Sequence, residues 1–194
     1  MRILAATNNA GKLAEITRML EPLGFSVVSP DDLDIKLKVA ETGMTFAENA
    51  YIKARAFFQA SGLPSLGDDS GLCVDALDGR PGLHSATYKG IDLPYTEKIS
   101  ALLAELKGVP GARRTARFVS ALCLVMDEET VLTCEGVCEG TIGRIPAGEG
   151  GFGYDPIFYI GDKSFASLAA EEKDELSHRG KSLRKLAALL EESI

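Results

Sequence analysis

Short apolar runs alternate with segments of helical hydrophobic spacing along almost the whole sequence. Residues 2–6 form an apolar run typical of a buried strand, and Leu13, Ile16, Leu20 and Leu23 follow at helical spacing. The chain therefore begins with a strand, a loop and a helix. Strands and helices that interleave in this way indicate an α/β fold with a mixed sheet.

The helix predicted over residues 45–60 has the best-defined start. Thr45 and Glu48 form a capping box, in which the hydroxyl and the carboxylate each accept from a backbone amide that lacks a helical partner. One apolar row follows: Phe46, Ala50, Ala54 and Phe57. Thr45, Asn49 and Lys53 are spaced by four, so they place their polar groups together on another face.

The remaining elements follow from the same patterns. We predict strands over residues 25–28, 65–74, 116–126, 130–140 and 157–160, the second interrupted by the acidic Asp68-Asp69-Ser70-Gly71. We predict helices over residues 94–106 and from about Ser177, the latter burying Leu183, Leu186, Ala187 and Leu190. Because no repeat or linker interrupts the chain, we expect residues 1–194 to form a single domain.

Charge and cysteine content narrow the class of protein. The net charge is −7 and the pI is near 5.0, which argues against binding to a nucleic-acid polymer, because such binding needs a broad cationic face. The 4 cysteines are too few for a disulfide scaffold and lack zinc-ligand spacing, so we expect reduced thiols and a cytoplasmic protein. No apolar run approaches the ~20 residues of a membrane helix, and we expect no signal peptide and no membrane partner.

The first candidate site is Thr7-Asn8-Asn9-Ala10-Gly11-Lys12, between the first strand and the first helix. Backbone amides and the positive end of a helix can receive a phosphate there. The segment is not a Walker A loop, because Ala6 and Leu13 stand where that motif requires Gly and Ser or Thr. An ordinary turn with a surface lysine explains the same residues equally well.

A glycine-rich segment gives the second candidate. Residues 148–153 match G-x-G-x-x-G, but strand-like residues follow instead of a helix, so a dinucleotide-binding site is excluded. The remaining interpretation is a flexible loop that presents Phe152, Tyr154 and Asp155. Three interpretations of this loop remain: a lid over a site, part of a pocket for a base, or only a connection between two elements.

Carboxylates form the third candidate. The set comprises Glu41, Glu48, Asp68, Asp69 and Asp75. Two adjacent aspartates at the end of a buried strand are costly unless a cation or solvent relieves their charge. Mg²⁺ suits them, because it takes one or two protein carboxylates and leaves its other positions to water and phosphate. The alternative is an Asx turn.

Basic residues near the last helix form the fourth candidate. Lys173 precedes Ser177-His178-Arg179, and cations at a helix start oppose the helix dipole. An arginine in this position favours an anionic or acceptor-rich partner, although a solvated helix start is the alternative. His84 is interpreted as structural, and the sequence offers no Ser-His-Asp arrangement.

These segments, in this order, resemble the inosine triphosphate pyrophosphatase family over nearly the whole chain. Thr7-x-Asn9-x-x-Lys12 resembles its first signature, and the stretch from Glu41-Thr42-Gly43 to Lys53-Ala54 is similar to its second. The other blocks are Asp68-Asp69-Ser70-Gly71-Leu72, Pro81-Gly82, Gly151-Phe152-Gly153-Tyr154-Asp155-Pro156, and Lys173 with Ser177-His178-Arg179. A minor departure is His84-Ser85-Ala86, where an aromatic residue before the serine is usual.

The resemblance implies an elongated α/β fold of two lobes with the active site in the cleft between them, a homodimer, and dependence on Mg²⁺. It implies hydrolysis of ITP, dITP and XTP to the monophosphate and pyrophosphate. Glu41 and Asp69 would hold the metal, and Asp69 would activate the water. The remaining implied residues bind nucleotide: the loop 7–12, Lys53, Ser70, Phe152, Gly153, Tyr154, Asp155, Lys173, His178 and Arg179.

Hydrogen-bond chemistry suggests how a base is selected. Arg179 only donates, so it suits a 6-oxo acceptor and disfavours a 6-amino group, while Phe152 can stack on the ring. Two alternatives remain: a sensor that binds a triphosphate without turnover, and a pyrophosphatase for pyrimidine or modified nucleotides. Asp68 is either a substitute for Asp69 or a residue that supports the metal ligands.

Overall fold

The structure is a computed structural model, and it describes residues 1–193. Within that range the chain forms seven β-strands and five α-helices. The strands are β1 (Arg2–Ala5), β2 (Ser26–Val28), β3 (Ser65–Val74), β4 (Thr115–Val125), β5 (Val131–Ile142), β6 (Phe158–Ile160) and β7 (Lys163–Ser164). The helices are α1 (Ala10–Leu20), α2 (Phe46–Ser61), α3 (Tyr95–Glu105), α4 (Ala170–Leu176) and α5 (His178–Ser193).

The strands form one mixed sheet in the order β2-β1-β3-β4-β5-β6-β7. β1 pairs in parallel with β2 and with β3, whereas β6 pairs antiparallel with β5 and with β7. The predicted α/β fold with a mixed sheet is confirmed. Two elements, β7 and α4, were not predicted, and β3 runs without the predicted interruption through Asp68-Asp69-Ser70-Gly71.

The capping box at the start of α2 is confirmed. The Thr45 hydroxyl accepts from the backbone N–H of Glu48 at 3.1 Å. The Glu48 carboxylate accepts at 2.5 Å from the backbone N–H of Met44, one residue before the cap. The backbone N–H groups of Met44 and Glu48 are therefore both satisfied, and the helix ends at Ser61, followed by the cap residue Gly62, whose φ is 68°.

The chain divides into two compact units. The first comprises residues 1–69, 120–136 and 177–193, and the second comprises residues 70–119 and 137–176. In the first unit, apolar residues of β1, β3 and β4 pack with those of α1 and α5: Ile3, Ala5, Ile16, Leu20, Leu66, Leu122, Leu124, Leu183, Leu186 and Leu190. A separate cluster of this unit joins Ala50 and Ala54 of α2 to Ala121, Cys123 and Val125 of β4.

The second unit has its own aromatic core. The ring centroid of Phe158 lies 4.7 Å from that of Phe118 and 4.8 Å from that of Phe165. The guanidinium of Arg114 is buried beside this core, where it donates to the carbonyl oxygens of Leu106, Ile142 and Gly143. These bonds satisfy carbonyls at the end of α3 and at the end of β5.

Two further findings bear on the expectations from composition. The cysteines Cys73, Cys123, Cys134 and Cys138 are all free thiols. Over residues 1–193, none of the helices is both long enough and apolar enough to span a membrane.

Candidate active site

The predicted phosphate loop is a capped helix start. The Asn9 side chain accepts from the backbone N–H of Lys12 at 3.0 Å, and the Thr7 hydroxyl accepts from the N–H of Asn9 at 3.1 Å. These bonds fix residues 7–12 between β1 and α1 in the first unit, where Asn8 and Ala10 are exposed. The first N–H groups of α1 and its positive dipole end lie in this loop, which gives it the chemistry of an anion site.

Lys12 links this loop to β3. Its Nζ donates to Oδ1 of Asp68 at 2.7 Å and to the Asp68 carbonyl oxygen at 3.3 Å. Burial lowers the pKa of Lys12, the charges of Arg179 and Lys53 act in the same direction, and the Asp68 carboxylate opposes them. The ammonium group is thus held in place by Asp68 at the C-terminal side of the loop.

Asp68 is enclosed by cations. Arg179 donates from Nε to Oδ2 of Asp68 at 2.5 Å and from Nη2 to Oδ1 at 3.3 Å, and its Nη1 donates to Oε2 of Glu15 at 2.5 Å. Burial alone would raise the pKa of Asp68, but the charges of Arg179 and Lys12 hold it well below its ordinary range. Asp68 is therefore ionised at neutral pH, and the anionic partner predicted for Arg179 is supplied by the protein's own Asp68 and Glu15.

Asp69 belongs to a second network. Lys53 Nζ lies 3.3 Å from Oδ1 of Asp69, 3.0 Å from Oε1 of Glu41 and 2.6 Å from the Asp68 carbonyl oxygen. Asn49 Nδ2 donates to Oδ2 of Asp69 at 3.1 Å. Successive side chains of a strand point to opposite faces, which places the carboxylates of Asp68 and Asp69 in different networks although the residues are adjacent.

The electrostatics distinguish the two aspartates further. Burial raises the pKa of Asp69, the charges of Lys53 and Lys12 oppose that rise, and the Glu41 carboxylate adds to it. A carboxylate whose pKa is raised is a better proton acceptor near neutral pH. The pKa of Asp69 is thus shifted in the direction that suits a proton acceptor, whereas the pKa of Asp68 is shifted the opposite way.

The carboxylates of Glu41 and Asp69 fit a divalent cation. Both lie within 3.3 Å of the same ammonium nitrogen, that of Lys53, so they converge within reach of a single positive centre. In the part of the chain that the structure describes, no three His, Cys, Asp or Glu side chains gather as a metal site. Two carboxylates, completed by phosphate and water, nevertheless constitute the kind of donor set that Mg²⁺ prefers.

A second set of predicted residues lies together in the second unit. Asp155 Oδ2 accepts from Lys173 Nζ at 2.6 Å and from the backbone N–H of Phe152 at 2.8 Å. The Lys173 ammonium also lies 4.7 Å from the centroid of the Phe152 ring, a cation–π contact. A Cβ at Gly151 would lie only 2.1 Å from Asp155 Oδ2, so this close approach requires glycine. The loop is therefore held by specific contacts.

The other predicted residues lie near these sets along the chain. Tyr154 is buried, and its hydroxyl donates to the Ser85 carbonyl oxygen at 2.9 Å. Gly153 has a φ of +65° close to the Tyr95 ring. Ser70 follows Asp69 in β3, and the buried His178 is the first residue of α5.

Two members of the carboxylate set lie outside both clusters. Glu48 caps α2, as described above. Asp75 accepts from Thr115 at 2.6 Å and from Arg117 at 3.1 Å in the second unit. Their side chains are occupied by structural contacts.

Sequence reasoning missed two functional candidates, Glu15 and Asn49. Glu15 lies three residues after Lys12 in α1 and is buried against Arg179, so the only signal was the spacing of an acid and a base on one helix face. Asn49 stood in the recognised polar row with Lys53, but that row did not reveal that its amide reaches Asp69.

A comparison with known proteins identifies the family. The model of the Ham1 family matches residues 3–189. The chain belongs to the Ham1 family. The proposed pyrophosphatase resemblance and the family assignment agree, because Ham1 relatives include proteins named dITP/XTP pyrophosphatase.

Two such relatives show how far the similarity extends. The dITP/XTP pyrophosphatase of Geobacillus kaustophilus (strain HTA426) is 48% identical over 194 residues, which cover 99% of this chain and 95% of that protein. The dITP/XTP pyrophosphatase of Shigella flexneri is 46% identical over 189 residues, which cover 95% of each. The similarity is therefore not confined to one motif.

Solved structures give the same result for the fold. A HAM1 protein from Coxiella burnetii has a TM-score of 0.88 at 39% identity, with 99% of each chain covered. The Ham1 protein of Staphylococcus aureus has a TM-score of 0.87 at 36% identity, with 100% of each chain covered. The α/β architecture described above is thus that of known Ham1 structures.

Proposed function

We propose that this Ham1 protein hydrolyses the non-standard purine nucleoside triphosphates ITP, dITP and XTP to the monophosphate and pyrophosphate. One observation carries the proposal: Asp69, a carboxylate of raised pKa, contacts Lys53, and Lys53 and Lys12 both donate to the Asp68 carbonyl oxygen beside a capped helix start. The names of relatives that are 46–48% identical over almost the whole chain support the choice of substrate.

The triphosphate would lie against the loop 7–12 with Lys12 and Lys53 beside it. Both ammonium groups donate to the Asp68 carbonyl oxygen, which fixes them near each other before the substrate arrives. Positioning and charge neutralisation account for most of phosphoryl-transfer catalysis, so lysines that are held in advance lower the cost of ordering the substrate.

Asp69 would take the proton from the water that attacks the α-phosphorus. Its raised pKa matches this role, and its Oδ2 is fixed by Asn49. Mg²⁺ bound by Glu41 and Asp69 would supply charge neutralisation that makes pyrophosphate a better leaving group.

The charge balance of the first unit's cluster supports a metal requirement. Among the residues described, the cluster joins three cations, Lys12, Lys53 and Arg179, to four carboxylates, Glu15, Glu41, Asp68 and Asp69. The lysines alone therefore do not make this region electropositive. A divalent cation would reverse the local sign and allow a polyanion to bind.

The base would be read by the remaining predicted residues. Phe152 would stack on the ring, and Ser70, Lys173 and His178 would contact the nucleotide. Because the Arg179 guanidinium only donates, any of its N–H groups that faces the base suits a 6-oxo acceptor. A 6-amino group there would leave buried donors unpaired, at a cost of about 1–3 kcal/mol each.

Cellular context is also part of the proposal. The free thiols of all four cysteines are typical of a reducing compartment, which supports a cytoplasmic location. The resemblance further implies a homodimer, and the active-site cleft between two lobes stays a prediction.

The decisive experiment measures pyrophosphate release from ITP, XTP, dITP, GTP, ATP and dUTP, each with and without Mg²⁺. We expect release from ITP, XTP and dITP that far exceeds release from ATP and dUTP and that requires Mg²⁺. Equal rates with ATP and ITP would overturn the substrate class. Binding without pyrophosphate release would indicate a sensor, and a preference for dUTP would indicate a pyrimidine pyrophosphatase.

A further inference from the structure

We infer that Asn49 is a positioning residue that fixes Asp69 and the segment carrying Glu41 relative to each other. The inference rests on the proposed function, because it concerns the two carboxylates assigned to the metal. Asn49 is 3% exposed, and both ends of its amide are engaged. Nδ2 donates to Asp69 Oδ2 at 3.1 Å, and Oδ1 accepts from the backbone N–H of Gly43 at 2.8 Å.

The orientation of this amide follows from its partners. The backbone N–H of Gly43 can only donate, so it requires the amide oxygen of Asn49. The opposite end is then the NH₂ group, which is the only end that a carboxylate can accept from. One side chain on α2 therefore connects β3 with the segment that contains Glu41, Thr42 and Gly43.

Gly43 shows how closely this segment approaches Asn49. A Cβ at Gly43 would lie 2.7 Å from Asn49 Oδ1 and 2.7 Å from the Cβ of Glu48. An alanine at this position would therefore displace the amide without changing its chemistry. Gly43 and Asn49 offer two independent ways to disturb the same connection.

The predicted effect is on the chemical step. Without the Asn49 amide, both carboxylates are still present, but Asp69 and Glu41 are no longer held in a fixed position relative to each other, as the reaction requires. Lys12 and the loop 7–12 are not touched, so binding of the triphosphate is preserved when Mg²⁺ is saturating. We expect Asn49→Leu to lower kcat about 10- to 100-fold with little change in KM, since a hydrogen bond to a charged group is lost.

The test compares Asn49→Leu, Gly43→Ala and the double variant, with Gln59→Leu as the control on the exposed end of the same helix. Because both single changes act on one connection, their effects on kcat should not add in the double variant. Mn²⁺ binding, measured by EPR with α,β-methylene-ITP present, should weaken severalfold in each single variant. Gln59→Leu should leave kcat and Mn²⁺ binding at wild-type values.

Three results would overturn the assignment. They are a kcat within threefold of wild type, fully additive effects, or unchanged Mn²⁺ binding in Asn49→Leu. If Asn49→Leu fails to fold, Gly43→Ala alone carries the test, because it displaces the amide and adds no charge; its kcat should fall while KM holds at saturating Mg²⁺. A wild-type protein that releases no pyrophosphate would instead overturn the proposed function, and Mn²⁺ binding would still test Asn49.

Discussion

Asp68 and Asp69 are neighbours in the chain, but the pKa values of their carboxylates are shifted in opposite directions. Asp68 is held by Arg179 and Lys12, which keep its pKa far below the ordinary value. Asp69 is buried beside Glu41, and its pKa is raised. Alternation along β3 accounts for the difference, because each carboxylate meets a different set of side chains. One residue is suited to a fixed charge, and the other is suited to proton transfer.

The first prediction concerns Asp69. Asp69→Asn keeps the size of the side chain and its contact with Asn49 but removes the proton acceptor. We expect ITP binding to remain and kcat for pyrophosphate release to fall about 10²- to 10⁴-fold, the range for loss of a general base. Calorimetry with ITP and a pyrophosphate assay measure the two effects. The exposed Asp162→Asn serves as the control, and near-normal turnover in Asp69→Asn would remove Asp69 from the role of base.

Asp68 should respond differently. Asp68→Asn removes the negative charge that Arg179 and Lys12 share, so a buried guanidinium loses part of its compensation. We expect a loss of about 3–5 kcal/mol in the free energy of unfolding, as for other broken buried ion pairs. Urea unfolding measures it. Glu172→Gln, which breaks the exposed pair with Lys163, should change stability by less than about 1 kcal/mol, and an equal loss in both variants would contradict the argument.

At the scale of elements, the close contact between β3 and α2 determines where the site residues lie. Gly67 of β3 faces Ala50 of α2, and a Cβ at Gly67 would lie 1.9 Å from the Ala50 carbonyl oxygen. This approach brings Lys53 and Asn49 of the helix within hydrogen-bond distance of Asp69. The hydrogen bonds of Asn49 and Lys53 to Asp69 therefore depend on glycine at position 67.

Gly67→Ala tests this packing. The added methyl meets backbone rather than a movable side chain, so strand and helix must separate. We expect the free energy of unfolding to fall by about 1–3 kcal/mol or more, together with a loss of activity. Differential scanning calorimetry and the pyrophosphate assay measure the two effects. Gly111→Ala is the matched control, because a Cβ there has open space and should leave stability nearly unchanged.

The elements that the sequence predicted are those with a hydrophobic period or a cap. The capping box of α2 is confirmed, and so is the buried stripe of α5 for Leu183, Leu186 and Leu190, whereas Ala187 is only partly buried. α4 was missed because Ala170–Leu176 has five consecutive charged residues and no apolar row. β7 was missed because it is two residues long and is defined only by its pairing with β6.

The sequence singled out residues that the structure places together, but it did not predict how they pair. Residue spacing and the family resemblance identified Lys12, Lys53 and Asp69 as candidates, and the structure places all three in the charged cluster of the first unit. The ion pair between Glu15 and Arg179 joins residues 164 positions apart, and local pattern carries no information on such a contact. The ion pairs of Asp68 were not predictable for the same reason, because its partners Lys12 and Arg179 lie in α1 and α5, far from it in the sequence.

For the whole molecule, the thiols of the buried Cys123 and the partly buried Cys134 make the free energy of unfolding depend on pH in the alkaline range. Burial raises the pKa of both Cys123 and Cys134 to about 11, so the folded state keeps these thiols protonated where the unfolded chain loses its protons. The resulting stabilisation is fully present below the ordinary thiol pKa of about 8.5–9. It is lost as pH rises from there through about 11. We expect the urea midpoint to fall over this interval.

The variant Cys123→Ala with Cys134→Ala isolates this contribution, because lysines and tyrosines also titrate above pH 9. Alanine cannot lose a proton, so the variant should lose less stability than wild type between pH 9 and 11, although its midpoint at pH 8 is lower from the lost packing. If the urea midpoints of the wild type and the variant fall equally between pH 9 and 11, the thiols do not contribute to the pH dependence. Alkylation supplies a second measurement: at pH 9 iodoacetamide should modify Cys123 at least about 50-fold more slowly in the native protein than in urea, because the thiolate is both rarer and covered.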